Sequence, residues 1–220
     1  MNHQMGGAEE VGIPDLSDDL IGTIFQFLGP GQFLFVAGTS RQFYRVYETT
    51  MGENDNDDTT ETTMRSAVES ISRLQWAREN GYPRNADTCE CAATYGHLEV
   101  LQWARENGCP WGWRTCACAA ANGHLEVLQW ARANDCPWTE ATCTFAARNG
   151  HLEVLQWART NGCPWDSWTC SLAARNGHVE VLQWARANGC PWNSLTCAYA
   201  EDYGHLEVLQ WARANGCPQP

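Results

Sequence analysis

The chain has no lysine: all 14 of its basic residues are arginine, against 26 acidic residues, for a formal net charge of −12 over 220 residues. It therefore offers no lysine side chain for the attachment of ubiquitin. It also lacks the clustered positive charge that neutralises phosphates and releases counterions, which excludes nucleic acid as an expected partner. No basic, apolar secretion leader is expected either, since the first residues, MNHQMGGAEEVGIPDLSDD, are acidic and are not followed by a cleavable apolar region. Twelve cysteines are thus expected to be reduced thiols in a cytoplasmic or nuclear protein rather than a disulfide framework. One apolar stretch, 20–38, approaches membrane-spanning length. Gln26, Gln32 and the break at Gly29-Pro30-Gly31 would leave polar groups unsatisfied in lipid, so no membrane partner is expected.

What is abundant is repetition. The run GHLEVLQWARENGCPW begins at Gly96 and returns, nearly unchanged, from Gly123, Gly150, Gly177 and Gly204, a period of 27 residues. A unit this short buries its apolar face only against its neighbours, so the chain is an array with no single central core. Within each unit the spacing predicts two helices. The longer, His97 to Asn107 in the first clear copy, sets Leu98, Leu101 and Ala104 on one stripe, widened by Val100 and Trp103. Glycine ends it at Gly81, Gly108, Gly162, Gly189 and Gly216, with Asp135 in the remaining copy, and proline follows two residues later. The shorter helix starts after one repeat position held by Asn85, Gly112, Thr139, Asp166 and Asn193, all favoured N-cap residues. It runs about nine residues, as in Ser167 to Arg175, to an Asn-Gly-His turn. One period earlier, Asp58 would cap a degenerate copy from Thr59 to Ala67, extending the array over 58–220. Arg84 and Gln219 stand where internal copies have Trp111, Trp138, Trp165 and Trp192, and Tyr82 replaces a cysteine, as end units facing water require.

The run from Leu172 to Gly189, LAARNGHVEVLQWARANG, resembles the ankyrin repeat, whose helix pair carries a similar Ala-Ala-x-x-Gly-His-x-Glu-Val sequence. The resemblance implies an all-α, helix-turn-helix solenoid that binds proteins. The ankyrin period is about 33 residues; here the segment that would form the projecting β-turn is shortened to Cys-Pro-Trp plus a cap, so a compact solenoid without fingers is expected. The usual TPLH signature is replaced by Thr-Cys, as at Thr169-Cys170, so the hydrogen-bonded turn that signature supplies is not carried over.

The repeated polar residues invite chemistry. His97, His124, His151, His178 and His205 recur one per unit at the same helix entrance, and helices stacked about 8–10 Å apart hold such copies too far apart to share a zinc ion. Hydrogen bonds that stabilise the turn are the expected role. Two cysteine ladders, Cys109 to Cys217 and Cys89 to Cys197, read as small packing residues, and the tryptophan ladder from Trp76 to Trp211 as packing between units. The glutamates from Glu99 to Glu207 open the long helices and the arginines from Arg105 to Arg213 close them, each complementing the helix dipole. No nucleophile, base and orienting group converge outside these ladders, so neither an enzyme nor a cofactor is expected.

Positions that change between copies are free to recognise a partner. They fall on the short helix at i, i+4 and i+8: Ala86, Glu90, Thr94; Trp113, Ala117, Ala121; Glu140, Thr144, Arg148; Ser167, Ser171, Arg175; Ser194, Ala198, Asp202. This spacing predicts one exposed stripe per helix, the stripes together forming a concave surface for a protein target, with Arg114 and Trp168 beside it. Trp113, Arg114, Glu140, Arg148, Trp168, Arg175 and Asp202 are the expected target contacts, with tryptophan and arginine as anchors.

Ahead of the array, 13–47 has a separate helical pattern: Ser17 caps a helix with Leu20, Ile24 and Leu28 at four-residue spacing, and Gly29-Pro30-Gly31 ends it. With Leu16-Ser17, Asp18-Asp19-Leu20 and Thr39-Ser40-Arg41-Gln42-Phe43, this module resembles an F-box, with Ser17 in place of the usual proline. The resemblance implies a surface of Leu16, Leu20, Ile24, Leu28, Ser40 and Phe43 that binds a Skp-family adaptor of a cullin-RING ubiquitin ligase. A disordered tail is expected over 1–12, and the acidic stretch 48–57 reads as a flexible linker.

Overall fold

A computed structural model describes residues 68–79 and 84–219. The expected tail, F-box-like module and linker lie outside the described residues, together with Leu16, Leu20, Ile24, Leu28, Ser40 and Phe43. So do the apolar stretch 20–38, the degenerate helix 59–67, Gly81 and Tyr82.

Among the described residues there are eleven helices of nine residues each and no strand. After α1 (Ile71–Glu79), five short helices alternate with five long-helix partners: α2 (Ala86–Thr94), α3 (Leu98–Glu106), α4 (Trp113–Ala121), α5 (Leu125–Ala133), α6 (Glu140–Arg148), α7 (Leu152–Thr160), α8 (Ser167–Arg175), α9 (Val179–Ala187), α10 (Ser194–Asp202) and α11 (Leu206–Ala214). The two kinds have equal helical length, so the sequence reading of one long and one short helix is corrected: the flanking His and Asn of the "long" helix are its caps, not its turns. None of these helices is long and apolar enough to cross a membrane.

Each boundary follows from local chemistry. Asn85, Gly112, Thr139, Asp166 and Asn193 are all N-caps with extended backbone. Thr139, Asp166 and Asn193 accept a backbone N–H two residues on, at 3.4, 2.9 and 3.1 Å. At the other end both helix types close alike. The N–H of Cys109 reaches back to the carbonyl of Ala104, and that of His124 to Ala119, each at 2.9 Å across a glycine of positive φ. This six-residue closure satisfies carbonyls that would otherwise be orphaned at the helix end. Asp135, at φ 62°, takes the glycine's place in one long helix.

Successive units join through their short helices, α2 on α4, α4 on α6, α6 on α8 and α8 on α10, and each short helix also packs on the long helix that follows it. Paired alanines such as Ala119-Ala120, Ala146-Ala147 and Ala173-Ala174 are fully buried between these helices and allow close approach. The core is a column running the length of the array, with Leu101, Leu128, Leu155 and Leu182 fully buried, one per unit.

The last unit shows what the column needs at its end. Glu201 stands where Ala93, Ala120, Ala147 and Ala174 are buried, and pairs with Arg213 at 2.9 Å. Gln219, in the tryptophan position, accepts from Arg213 at 3.2 Å and donates to the carbonyl of Cys217 at 3.0 Å. Both substitutions put paired polar groups on the outer face of this unit. Leu206 stays 67% exposed there, whereas the equivalent Leu125 and Leu152 pack on the core.

Candidate target-binding face of the array

The repeated polar residues are occupied by the fold. The Nε2 of His124, His151 and His205 donates to the carbonyl of Thr94, Ala121 and Arg175, at 3.0, 3.1 and 2.9 Å, and His178 bonds the backbone of Arg148. Each bond reaches 30 residues back, to the end of the preceding short helix. The histidines therefore join units, which goes beyond stabilising their own turn. Burial lowers the pKa of His97 and His178, with like-charge repulsion from neighbouring histidines adding to it.

On the other side of each unit, the guanidinium groups of Arg105, Arg132, Arg159 and Arg186 donate to the carbonyls of Cys109, Cys136, Cys163 and Cys190. They also lie over the rings of Trp111, Trp138, Trp165 and Trp192, 4.1–4.2 Å from the ring centres. Those rings meet Trp130, Trp157, Trp184 and Trp211 of the next unit edge to face, 5.6–6.0 Å apart. Cation–π and aromatic contacts of this geometry contribute about 0.5–1.5 kcal/mol each.

The thiols of both ladders are buried and unbridged. Cys136, Cys163 and Cys190 donate to the carbonyls of Gly112, Thr139 and Asp166 at 3.4 Å, binding each long-helix end to the preceding short-helix cap. Burial pushes Cys89 up to about 12. Within Cys116/Cys136 and Cys143/Cys163 the first thiol is pushed up and the second pulled down, because the first hydrogen-bonds to the second. Among the described residues no three His, Cys, Asp or Glu side chains are grouped to hold a metal ion.

With the ladders assigned, the short helices remain. The expected stripe at i, i+4 and i+8 is corrected at its middle position: Ala117, Thr144 and Ser171 are 1, 7 and 1% exposed. The reason is contact with the next unit. The hydroxyl of Thr144 meets that of Thr169, and Ser171 meets Thr196, each at 3.3 Å. Where the preceding unit offers no hydroxyl, as with Glu90 before Thr115 and Ala117 before Thr142, the buried threonine oxygen has no hydrogen-bond partner.

The exposed stripe lies one residue further on. Arg114, Trp168 and Leu195 hold its first position, and Cys118, Phe145, Leu172 and Tyr199 its half-buried second position. Trp168 is 47% exposed, Leu195 37% and Tyr203, which extends the stripe in the last unit, 51%. The expected stripe starts at the first helical residue and so leaves out this apolar row. Counted from the second, the same comparison of copies finds it.

The seven expected contacts fall into two groups at opposite ends of the short helices. Trp113, Arg114, Glu140 and Trp168 stand at the N-terminal ends. Arg148, Arg175 and Asp202 stand at the C-terminal ends, about 12 Å away along the helix. Trp113 is 41% exposed, and Arg114 lies 5.6 Å from its ring and 4.0 Å from the Glu90 carboxylate. The Glu90 pKa is raised by burial, against the pull of Arg114. Glu140, Arg148 and Asp202 are exposed, while Arg175 is half-buried with its guanidinium 4.7 Å from the Tyr203 ring. The geometry thus makes a broad face with large apolar side chains at its N-terminal edge and middle and with Arg148, Arg175 and Asp202 along its C-terminal edge, suited to holding a surface.

Residues 89–132 match the family model for ankyrin repeats (many copies). No curated protein matches the chain.

Proposed function

We propose that the chain is a non-catalytic substrate receptor of a cullin-RING ubiquitin ligase: the short-helix face holds a protein target, and the F-box-like residues 13–47 recruit a Skp-family adaptor. That the repeats serve protein–protein interaction follows from their ankyrin character. The observation that carries the target-binding reading is the division of labour within each unit. The internal histidines, arginines, tryptophans and cysteines of the ladders are engaged within the array, while the exposed side chains that differ between copies, Trp113, Arg114, Trp168 and Leu195 among them, share one face. The ligase reading is supported by the sequence from Leu16 to Phe43 and by the absence of lysine, which suits a receptor held beside active ubiquitin-transfer machinery. A plain ankyrin-like scaffold with no ubiquitin role is the second reading, favoured by a family match that falls wholly within the repeats.

Co-purification with a purified Skp-family adaptor at micromolar concentration separates the two. The receptor reading expects capture by the intact chain and its loss in Leu20→Asp/Ile24→Asp, with array helicity unchanged. Absence of capture by the wild-type chain leaves the scaffold. For the face itself, Trp113→Ala/Trp168→Ala is expected to weaken a bound protein target at least ten-fold, and unchanged affinity would move the interface elsewhere.

A further inference from the structure

Six of the eight arginines between residues 100 and 219 have a carbonyl or carboxylate beside them. Arg105, Arg132, Arg159 and Arg186 are spent on carbonyls and tryptophans, Arg213 is paired with Glu201, and Arg114 lies beside Glu90. Arg148 and Arg175 are different. They occupy the same position in adjacent units, 27 residues apart, and among the described residues neither guanidinium has a carbonyl or carboxylate partner, Arg175 only lying over the Tyr203 ring at 4.7 Å, in a chain whose acids outnumber its bases by 26 to 14. The corresponding positions elsewhere are Thr94, Ala121 and Asp202, so the positive pair is confined to two units and bounded by an acid.

Each of these arginines also has an apolar neighbour. Phe145 precedes Arg148 by three residues and Leu172 precedes Arg175 by three, which places the members of each pair side by side on the helix surface. We propose that this part of the short-helix face binds an acidic peptide segment in which an apolar side chain lies between two carboxylates. A small anion would leave the apolar row unused, and a purely apolar segment would leave two guanidinium groups without counterions. A segment with both satisfies both, since guanidinium–carboxylate pairs are directional and gain from adjacent desolvation.

The spacing narrows the ligand further. Neighbouring helices pack about 8–10 Å apart. A polyproline II chain repeats its face every three residues, advancing about 9 Å. Acidic residues at i and i+3 of an extended segment would therefore meet Arg148 and Arg175 together, with the apolar side chain directed to Phe145 and Leu172.

This inference rests on the reading of the short helices as the target-binding face, and the experiment separates the two. A random dodecapeptide phage library is panned on the immobilised full chain, and enriched peptides are titrated against wild type, Arg148→Glu/Arg175→Glu and Trp113→Ala/Trp168→Ala, each first checked for unchanged helicity by circular dichroism. The expected result is enrichment of sequences with two Asp or Glu three apart around Leu, Phe or Trp. Their affinity should fall at least ten-fold in the double-glutamate variant and weaken with added salt. Enrichment of peptides without acidic residues, or no enrichment, overturns the proposal. So does undiminished affinity in the double-glutamate variant: loss in the tryptophan variant alone would then leave the face as the target site with a different ligand chemistry, and loss in neither would remove both readings. Tighter binding of an oligothymidylate probe through the same arginines would overturn it in favour of a nucleic acid.

Discussion

Long and short helices contribute nine residues each to every unit and close with the same glycine-containing turn, yet one kind is nearly constant in sequence and the other is not. Burial alone does not explain the difference. His124, His151 and His178 are only half-buried and recur unchanged, whereas Ala117, Thr144 and Ser171 are buried and differ from one another. What separates the layers is the kind of neighbour each position has. A histidine, cysteine or tryptophan of the ladders contacts an adjacent unit, so changing it breaks a joint between units. A short-helix residue at the fifth position meets the threonine of the next unit, and at Ser171 the Asn193 cap as well, and needs only to suit that one neighbour.

The two glycine turns give the largest expected contrast. Gly150, φ 78°, follows a short helix, and a Cβ there would come within 2.8 Å of the His178 ring. Gly162, φ 84°, follows a long helix and has nothing within 4 Å of such an atom. Gly150→Ala combines left-handed strain with displacement of the histidine that joins the units, and is expected to cost about 3–4 kcal/mol in urea unfolding. Gly162→Ala carries strain alone, about 1 kcal/mol. Equal losses would mean that His178 yields freely and is not a joint.

The second contrast concerns the threonine of the Thr-Cys pair. Thr196 finds the Ser171 hydroxyl, while Thr142 faces Ala117, has no hydroxyl partner, and has only the Cys163 thiol beside it. Ser171→Ala is expected to destabilise by about 1–3 kcal/mol, the cost of leaving a buried hydroxyl unpaired. Ala117→Ser supplies the missing partner and is expected to stabilise by about 1 kcal/mol. Thermal midpoints that move the same way in both variants would refute a role for these hydroxyl pairs.

Much of this architecture is legible in sequence, because the repeat displays its own constraints. The cap positions, the helix stops, even the tolerated Asp135, follow from local backbone chemistry that needs no tertiary information. The partners of the ladders do not. That His151 reaches Ala121 rather than bracing its own turn, or that Arg159 sits over Trp165, depends on how units stack, which the period leaves open. The candidate face failed in the same way at one register: variability marked Thr144 and Ser171 as surface, and only the seat of the next unit shows them to be buried joints. Phe145, Leu172 and Tyr199 vary equally one residue further along each helix, where the expected register does not reach and where apolar residues read by default as core.

The joints should also respond to pH. The pKa of His178 lies below its ordinary value of about 6.5 because burial disfavours the imidazolium. The unfolded chain therefore binds the proton more readily, so the stability contributed by neutral His178 is complete above about pH 6.5 and is lost as pH falls below it. Melting followed from pH 7.5 to 5.5 is expected to show a decline of a few degrees, reduced in His178→Gln relative to that variant's own midpoint at pH 7.5. An equal slope in both would assign the decline to other groups.

The smallest expected effect on stability is the most informative about function. Arg159 donates to the Cys163 carbonyl and covers the Trp165 ring, so Arg159→Ala removes a hydrogen bond and a cation–π contact, together about 1–2 kcal/mol. Arg148 is exposed, and its side chain has no ion pair or hydrogen bond among the described residues. Only its backbone carries a structural bond, to His178, and alanine keeps that bond. Arg148→Ala should therefore fall within about 0.5 kcal/mol of wild type. An arginine whose removal costs the fold nothing, on a chain with acids to spare, is conspicuous. If Arg148→Ala instead destabilises as much as Arg159→Ala, the residue is a structural member of the array, and the line between the constant layer and the recognising layer must be redrawn around it.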